Sequence, residues 1–249
     1  TVPTERTEER PISVAPVRQV KETPILPTEP SRHESEYDVT LTTQTTFSRI
    51  VFFPYLLSRW SGQLSIAVFV LDKENSMYSW YMRNNAFESR LHVTEYHAKT
   101  NAQYPINKLR NLAIEGVQTT HLWLTDMDMW PSLHLREALL ELPTSELERT
   151  DLAVIVPAFE LRKGPDTSSF SDVADSASKR IPNTKAELNA CIAKKRCSTF
   201  RPKERLHDYF FPQWYDEAYA PLLTRVKCFK GDTQEPYVIV RKTPSMPRF

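Results

Sequence analysis

The sequence predicts an α/β domain built on a mostly parallel sheet flanked by helices. Three observations carry that expectation. Short continuous apolar runs, LSIAVFVLD at 64–72, DLAVIVPAFEL at 151–161 and PYVIVRK at 236–242, are rich in β-branched residues and suit strands covered on both faces. Between them, YPINKLRNLAIEGV at 104–117 carries apolar residues at helical spacing. Strands that alternate with helices favour crossover connections and a parallel sheet.

The elements follow in order. Residues 1–37 hold six prolines, no glycine, many Thr and Glu, and few large apolar residues besides Ile12, Ile25 and Leu26. Such a segment cannot bury enough apolar surface to offset its ordering entropy, so it reads as a disordered, proline-rich stem or linker, with a short docking strip as the alternative. The folded domain is expected over 38–249. Val39 and Leu41 fit a first strand, and 47–57 a helix interrupted near Pro54. The run at 64–72 is the next strand. In 104–117, Pro105 suits a first helical position, and Ile106, Leu109, Leu112 and Ala113 form a buried stripe. Gly116 falls where a left-handed residue would end that helix. HLWLT then reads as a strand running into Asp126, after which Ser132 can cap a helix through Leu133, Leu135, Arg136, Leu139 and Leu140, stopped by Pro143. Residues 151–161 make one more buried strand and 236–242 the last. From 162 to 235 the pattern weakens to polar loops, a helix from Lys185 to Ala193, and the aromatic cluster HDYFFPQWYDEAY. Between Lys179 and Arg205, nine Lys or Arg stand against two Glu. A solvated basic face is the ordinary reading, an anion- or acceptor-binding patch the alternative.

Composition excludes several classes. A formal charge of +1 gives no global reason to expect nucleic acid or an anionic membrane as partner, so no nucleic-acid partner is expected. The four glycines, Gly62, Gly116, Gly164 and Gly231, are too scattered for a glycine-rich phosphate loop. Cys191, Cys197 and Cys228 lack CxxC spacing, which argues against a zinc site and leaves one disulfide plus a free thiol as an option. No apolar run approaches the roughly 20 residues of a membrane helix.

The chemistry gathers at HLWLTDMDMWP, 121–131. Eleven Asp in the chain would give about half a DxD match by chance, so position matters more than the letters. Asp126 and Asp128 stand at the carboxyl end of a predicted strand, where open α/β sheets bind ligands. Two adjacent carboxylates repel unless a cation or proton intervenes. A hard ion, Mn²⁺ or Mg²⁺, would take them as oxygen ligands and complete its shell with phosphate and water. Such an ion stabilises a departing diphosphate, which suits transfer from a nucleotide sugar. Two alternatives stand beside this: solvated turn residues ahead of a Pro-Ser helix start, and a phosphohydrolase using the first Asp as nucleophile. The continuation Met129, Trp130, Pro131 fits the phosphohydrolase pattern poorly.

At this point the chain resembles a known family. YPINKLRNLAIEGVQTTHLWLTDMDMWPS is similar to the signature block of glycosyltransferase family 49, in which a YPxNxLRNxA helix leads to an apolar strand ending in DxD and then Pro-Ser. TLTTQTTFSRI, WSGQLSIAVFV, VPAFE, HDYFFPQWY and EPYVIVRKTP agree in order, so the resemblance spans 37–247. It implies a GT-A fold (a Rossmann-like sheet), inverting transfer from a UDP-sugar, glucuronic acid being one candidate, Mn²⁺ dependence, and a glycan or glycoprotein acceptor. It places Asp126 near the donor ribose and metal, and Asp128 on the metal. Thr42 and Gln44 fall at the nucleoside pocket, Arg110 and Asn111 become candidate donor contacts or else helix-packing or surface residues, and His207 and Trp214 take an acceptor-side or structural role. The resemblance also implies residence in the Golgi lumen, with membrane attachment only through a type II anchor absent from this chain. The family pattern continues with YDERFxGYGxNK and HxPH blocks beyond Phe249, so the C-terminal part is expected to be missing and no catalytic base can be named. His92, His97, His121 and His134 lack the spacing to replace the missing metal histidine. The alternative functional reading is a non-catalytic glycosyltransferase-like fragment or pseudoenzyme acting through glycan or protein contacts.

Overall fold

The central strand, β1 (Val39–Thr46), is VTLTTQTT, a threonine-rich stretch buried from Val39 to Thr45. β-branching suits Thr to a strand, and the hydroxyls are absorbed locally: Thr40 Oγ1 lies 2.7 Å from Thr119 Oγ1, and Thr42 donates to the Thr40 carbonyl at 3.3 Å. A computed structural model of the chain describes residues 37–162, 169–201, 203, 212–216, 223–226 and 237–249. Apart from Tyr37, which is buried with its ring edge-on to His121, the expected stem lies outside the described residues. So do His207 and Cys228.

Among the described residues the main sheet has six strands. β2 (Leu64–Leu71) and β4 (His121–Leu124) flank β1 in parallel, and β3 (Leu91–Ala98) extends the parallel set beyond β2. β8 (Tyr237–Arg241) pairs antiparallel to β4, and β5 (Ala153–Val156) pairs antiparallel to β8 at the edge. The order is β3-β2-β1-β4-β8-β5, a mostly parallel sheet with one reversed strand, as the sequence predicts.

The period-2 alternation of β2 divides the core. Ile66, Val68 and Val70 join the larger cluster with Leu41, Phe53, Leu56 and Trp60, while Ala67 and Phe69 meet Leu109 and Ala113 on the other face. Leu109 and Ala113 come from α3 (Ile106–Glu115), and fully burying a leucine contributes about 2 kcal/mol. A 3-10 turn (Phe47–Phe52) runs into α1 (Phe53–Arg59), with Pro54 in the first turn, where its missing N–H costs nothing. Among the described residues the remaining α-helices are α2 (Asn75–Asn84), α4 (Leu135–Leu140), α5 (Thr144–Leu147), α6 (Phe170–Ser178) and α7 (Lys185–Ala193).

Several expectations change. Pro105 is the N-cap of α3 rather than its first helical residue, and Ile106 is exposed. Gly116 has φ −72°, not a left-handed value. Its reason is space: a Cβ there would lie 2.5 Å from Ser65 Oγ and His92 Cδ2. Ser132 caps nothing, because α4 starts only at Leu135 behind a left-handed His134 with φ 65°. The stretch 151–161 is two strands. Pro157 and Ala158 separate β5 from β6 (Phe159–Leu161), which pairs with β7 (Cys197–Thr199) in a second, small sheet. β5 is only partly buried, since it lies at an edge. Cys191 and Cys197 form a disulfide between α7 and β7.

Candidate active site

The site forms where β1 and β4 end side by side. Thr42 pairs in register with Leu124, and the Thr125 N–H donates to the Thr42 carbonyl at 3.0 Å, so the next side chains along each strand emerge together. These are Gln44 and Asp126. Gln44 Nε2 donates to Asp126 Oδ1 at 3.3 Å. The antiparallel β8 begins where β4 ends, which brings the Tyr237 hydroxyl to donate to Asp126 Oδ2 at 2.9 Å. Both oxygens of Asp126 therefore have a fixed donor.

Asp128 is held differently. Met127 is buried, and the Met129 N–H bonds back to the Asp126 carbonyl at 3.0 Å, closing a turn anchored by an apolar plug. Asp128 is thrown outward, its side chain 53% exposed, with Arg49 Nη1 3.4 Å from Oδ2. The two aspartates thus divide into a fixed, half-buried carboxylate and a presented one.

The surroundings are polar beneath and aromatic to one side. Gln44 Oε1, Thr43 Oγ1 and Thr125 Oγ1 are buried without hydrogen-bond partners among the described residues. Asp128 and Tyr237 share the wall of a cavity of about 600 Å³ with Trp123, Trp130, Phe159 and Trp214. Trp130 stacks on Tyr55, and Trp214 on Phe159. Tyr104 packs edge-on against Phe69 of β2 and feels the Asp126 carboxylate. Partial burial first, and then the Asp126 carboxylate, push its hydroxyl up to about 12, while Arg49 and Arg110 pull the other way.

The sequence-predicted residues sort accordingly. Thr42 lies wholly buried under the site, its hydroxyl turned to its own strand. Gln44, Asp126 and Asp128 come together. Arg110 neighbours Tyr104 and lies over the Phe249 ring, and the Asn111 side-chain amide donates from Nδ2 to the Phe249 carbonyl and accepts at Oδ1 from the Phe249 N–H, both at 3.1 Å. His121 is a packing residue: its Nε2 donates to the Leu147 carbonyl at 3.0 Å. Sequence reasoning missed Arg49, Tyr104 and Tyr237. Tyr104 and Tyr237 lie inside the family-like blocks YPINKLRNLA and EPYVIVRKTP, and Arg49 inside TLTTQTTFSRI, but nothing local tied any of them to the aspartates.

Among the described residues no three His, Cys, Asp or Glu side chains gather as a metal cage. The two aspartates nevertheless fit a hard cation that keeps water and phosphate in its shell, being oxygen donors of which one is already oriented and the other open to solvent.

Among curated relatives, xylosyl- and glucuronyltransferase LARGE2s of Gallus gallus is 30% identical over 215 residues, covering 82% of this chain and 26% of the relative. LARGE2 of Mus musculus is 30% identical over 224 residues, 86% of this chain and 30% of the relative. LARGE1 of Homo sapiens is 29% identical over 214 residues, 82% of this chain and 26% of the relative. The chain thus spans 26–30% of the length of these relatives. Two solved structures overlap too slightly to carry an argument. Mannosyltransferase PcManGT from Pyrobaculum calidifontis, in complex with GDP-Man and Mn²⁺, is 20% identical, covers 43% of this chain and 33% of that one, and has a TM-score of 0.29. S. aureus TarS 1-349 is 15% identical, covers 37% of this chain and 28% of that one, and has a TM-score of 0.24. The family model described as glycosyl-transferase for dystroglycan matches residues 81–244, a span that includes β4, both aspartates and β8, and the chain belongs to that family.

Proposed function

We propose that this chain is the GT-A-type donor-binding domain of a metal-dependent, inverting glycosyltransferase that moves a sugar from a UDP-sugar to a glycan or glycoprotein acceptor. The observation that carries this reading is the division of labour at the β4 end: Asp126 is oriented by Gln44 and Tyr237, while Asp128 is presented to a cavity.

Asp126 and Asp128 would hold Mn²⁺ or Mg²⁺, which when bound supplies charge neutralisation for a departing diphosphate. The chain's own residues supply positioning. Gln44 and Tyr237 keep Asp126 from turning away, so the geometry is set before ligand arrives. Gln44 Oε1, buried and without a partner among the described residues, is available to accept a hydrogen bond from the nucleotide. Thr42 shapes the floor beneath it. Arg110, linked to Asp126 through their shared neighbour Tyr104, stays a donor-side candidate, whereas the amide of Asn111 is taken by Phe249. The cavity beyond Asp128 has aromatic walls that suit the faces of sugar rings and exclude water, with Trp214 on the acceptor side.

Residence in the Golgi lumen is part of the same proposal, and the Cys191–Cys197 disulfide supports an oxidising compartment. No helix among the described residues is long and apolar enough to cross a membrane. The relatives are named xylosyl- and glucuronyltransferases, and glucuronic acid is the donor sugar proposed for this chain.

The test is calorimetric titration of UDP into the chain with and without Mn²⁺, alongside Asp128→Ala. Binding is expected to require both the metal and Asp128. Absence of binding to the wild-type chain in Mn²⁺ would replace this reading with the non-catalytic one.

A further inference from the structure

Arg49 stands in the 3-10 turn that follows β1, at the ligand end of the sheet, and its guanidinium meets Asp128 and Phe170. Nη1 lies 3.4 Å from Asp128 Oδ2, and Cζ lies 5.2 Å from the centroid of the Phe170 ring on α6. Phe170 in turn packs edge-on against Phe52. The aromatic contact keeps the guanidinium at the mouth of the site, and a side-chain exposure of 40% leaves it open to an arriving ligand.

The pairing with Asp128 is loose and exposed, and such pairs contribute little to stability. A divalent cation shared by Asp126 and Asp128 would cancel their combined charge. A guanidinium 3.4 Å from the Asp128 carboxylate would then lose its attraction to it and turn to the nearest anion. A nucleotide arriving with the cation brings that anion, and the planar fork of Arg matches phosphate oxygens two at a time.

We infer that Arg49 is an anion-binding position of the donor site, the counter-ion of Asp128 before a cation binds and a ligand of the nucleotide diphosphate afterwards. This rests on the donor-site reading above. Arg49 opposes metal in the empty site and favours nucleotide in the loaded one, so it couples the two binding events and makes each raise the affinity for the other.

The experiment compares wild type, Arg49→Gln and Arg49→Lys in three titrations: Mn²⁺ alone, followed by electron paramagnetic resonance of free Mn²⁺, then UDP in saturating Mn²⁺, then uridine in saturating Mn²⁺. Arg49→Gln is expected to bind Mn²⁺ alone about two- to fivefold more tightly. It should bind UDP about tenfold more weakly, with uridine unchanged. Arg49→Lys should restore the wild-type Mn²⁺ affinity but only part of the UDP affinity, because an ammonium lacks the bidentate fork. A gain in metal affinity also excludes misfolding as the cause of the loss in UDP affinity. Unchanged UDP affinity in Arg49→Gln would overturn the assignment while leaving the donor site intact, as would parallel loss of Mn²⁺ and uridine binding. Failure of wild type itself to bind UDP in Mn²⁺ would sink the donor-site reading and this inference with it.

Discussion

At the scale of single residues, two carboxylates one residue apart live in different surroundings because a strand end and a turn treat them differently. Asp126 still follows the line of β4 and meets neighbours from β1 and β8, whereas Asp128 sits past a buried methionine and faces outward. Tyr237→Phe tests whether orientation of Asp126 matters for binding. Loss of the hydroxyl leaves Oδ2 without that donor and should cost about 1 kcal/mol of stability in urea unfolding. It should also weaken Mn²⁺-dependent UDP binding several-fold in calorimetry. A stability loss with unaltered UDP affinity would reduce the tyrosine to a packing role. The aspartates were legible because they follow an apolar run in the chain itself. Tyr237 and Arg49 were not, being separated from their partners by 111 and 79 positions, and local pattern carries no information on pairing at that range.

At the scale of elements, agreement was best where burial and punctuation point the same way. β2 is a continuous apolar run and appears as Leu64–Leu71; α7 appears at Lys185–Ala193, the range its pattern predicts. That helix also has a cap, Thr184 Oγ1 accepting from the Glu187 N–H at 3.1 Å, while Glu187 Oε2 accepts from the Asn183 N–H at 2.7 Å. Thr184→Ala should therefore destabilise the helix by about 1 kcal/mol, seen as faster amide exchange over Lys185–Leu188. Unchanged exchange there would show that the disulfide and packing hold α7 without the cap. Other elements escaped the sequence reading for physical reasons. β3 carries LHVTEYHA, an alternating polar strand at the sheet edge, and α2 buries only Tyr78 and Tyr81 while exposing Trp80 and Met77. The division at Pro157 was hidden by apolar residues on both sides of it.

At the scale of the molecule, one buried histidine reports on the seam between β4 and α5. Burial first lowers His121 below its ordinary 6.5. The hydrogen bond to the Leu147 carbonyl works the other way, and the Arg241 guanidinium adds to the lowering. The folded state therefore prefers neutral imidazole. Stability from this source is complete above pH 6.5 and falls as pH drops toward the folded value, because the unfolded chain takes up the proton first. Glu88, held below its ordinary 4.5 first by its hydrogen bond from Arg90, loses its contribution only further down, so of these two groups the histidine alone acts just below pH 6.5. His121→Gln should flatten the pH dependence of chemical unfolding in that window. A slope as steep as that of wild type would assign it to another group.

The sequence by itself determined the fold class, the position of the paired aspartates at a strand's carboxyl end, and a resemblance that the family match bears out. These rest on periodicity and on ordered local blocks, which are properties of neighbours in the chain. Only the tertiary structure decided that β8 runs against the other strands, that Tyr237 and Gln44 fix Asp126 while Arg49 balances Asp128, and that Cys191 pairs with Cys197. Strand direction, side-chain pairing and cross-linking depend on which distant segments meet, and that is settled by packing of the whole sheet rather than by any stretch within it.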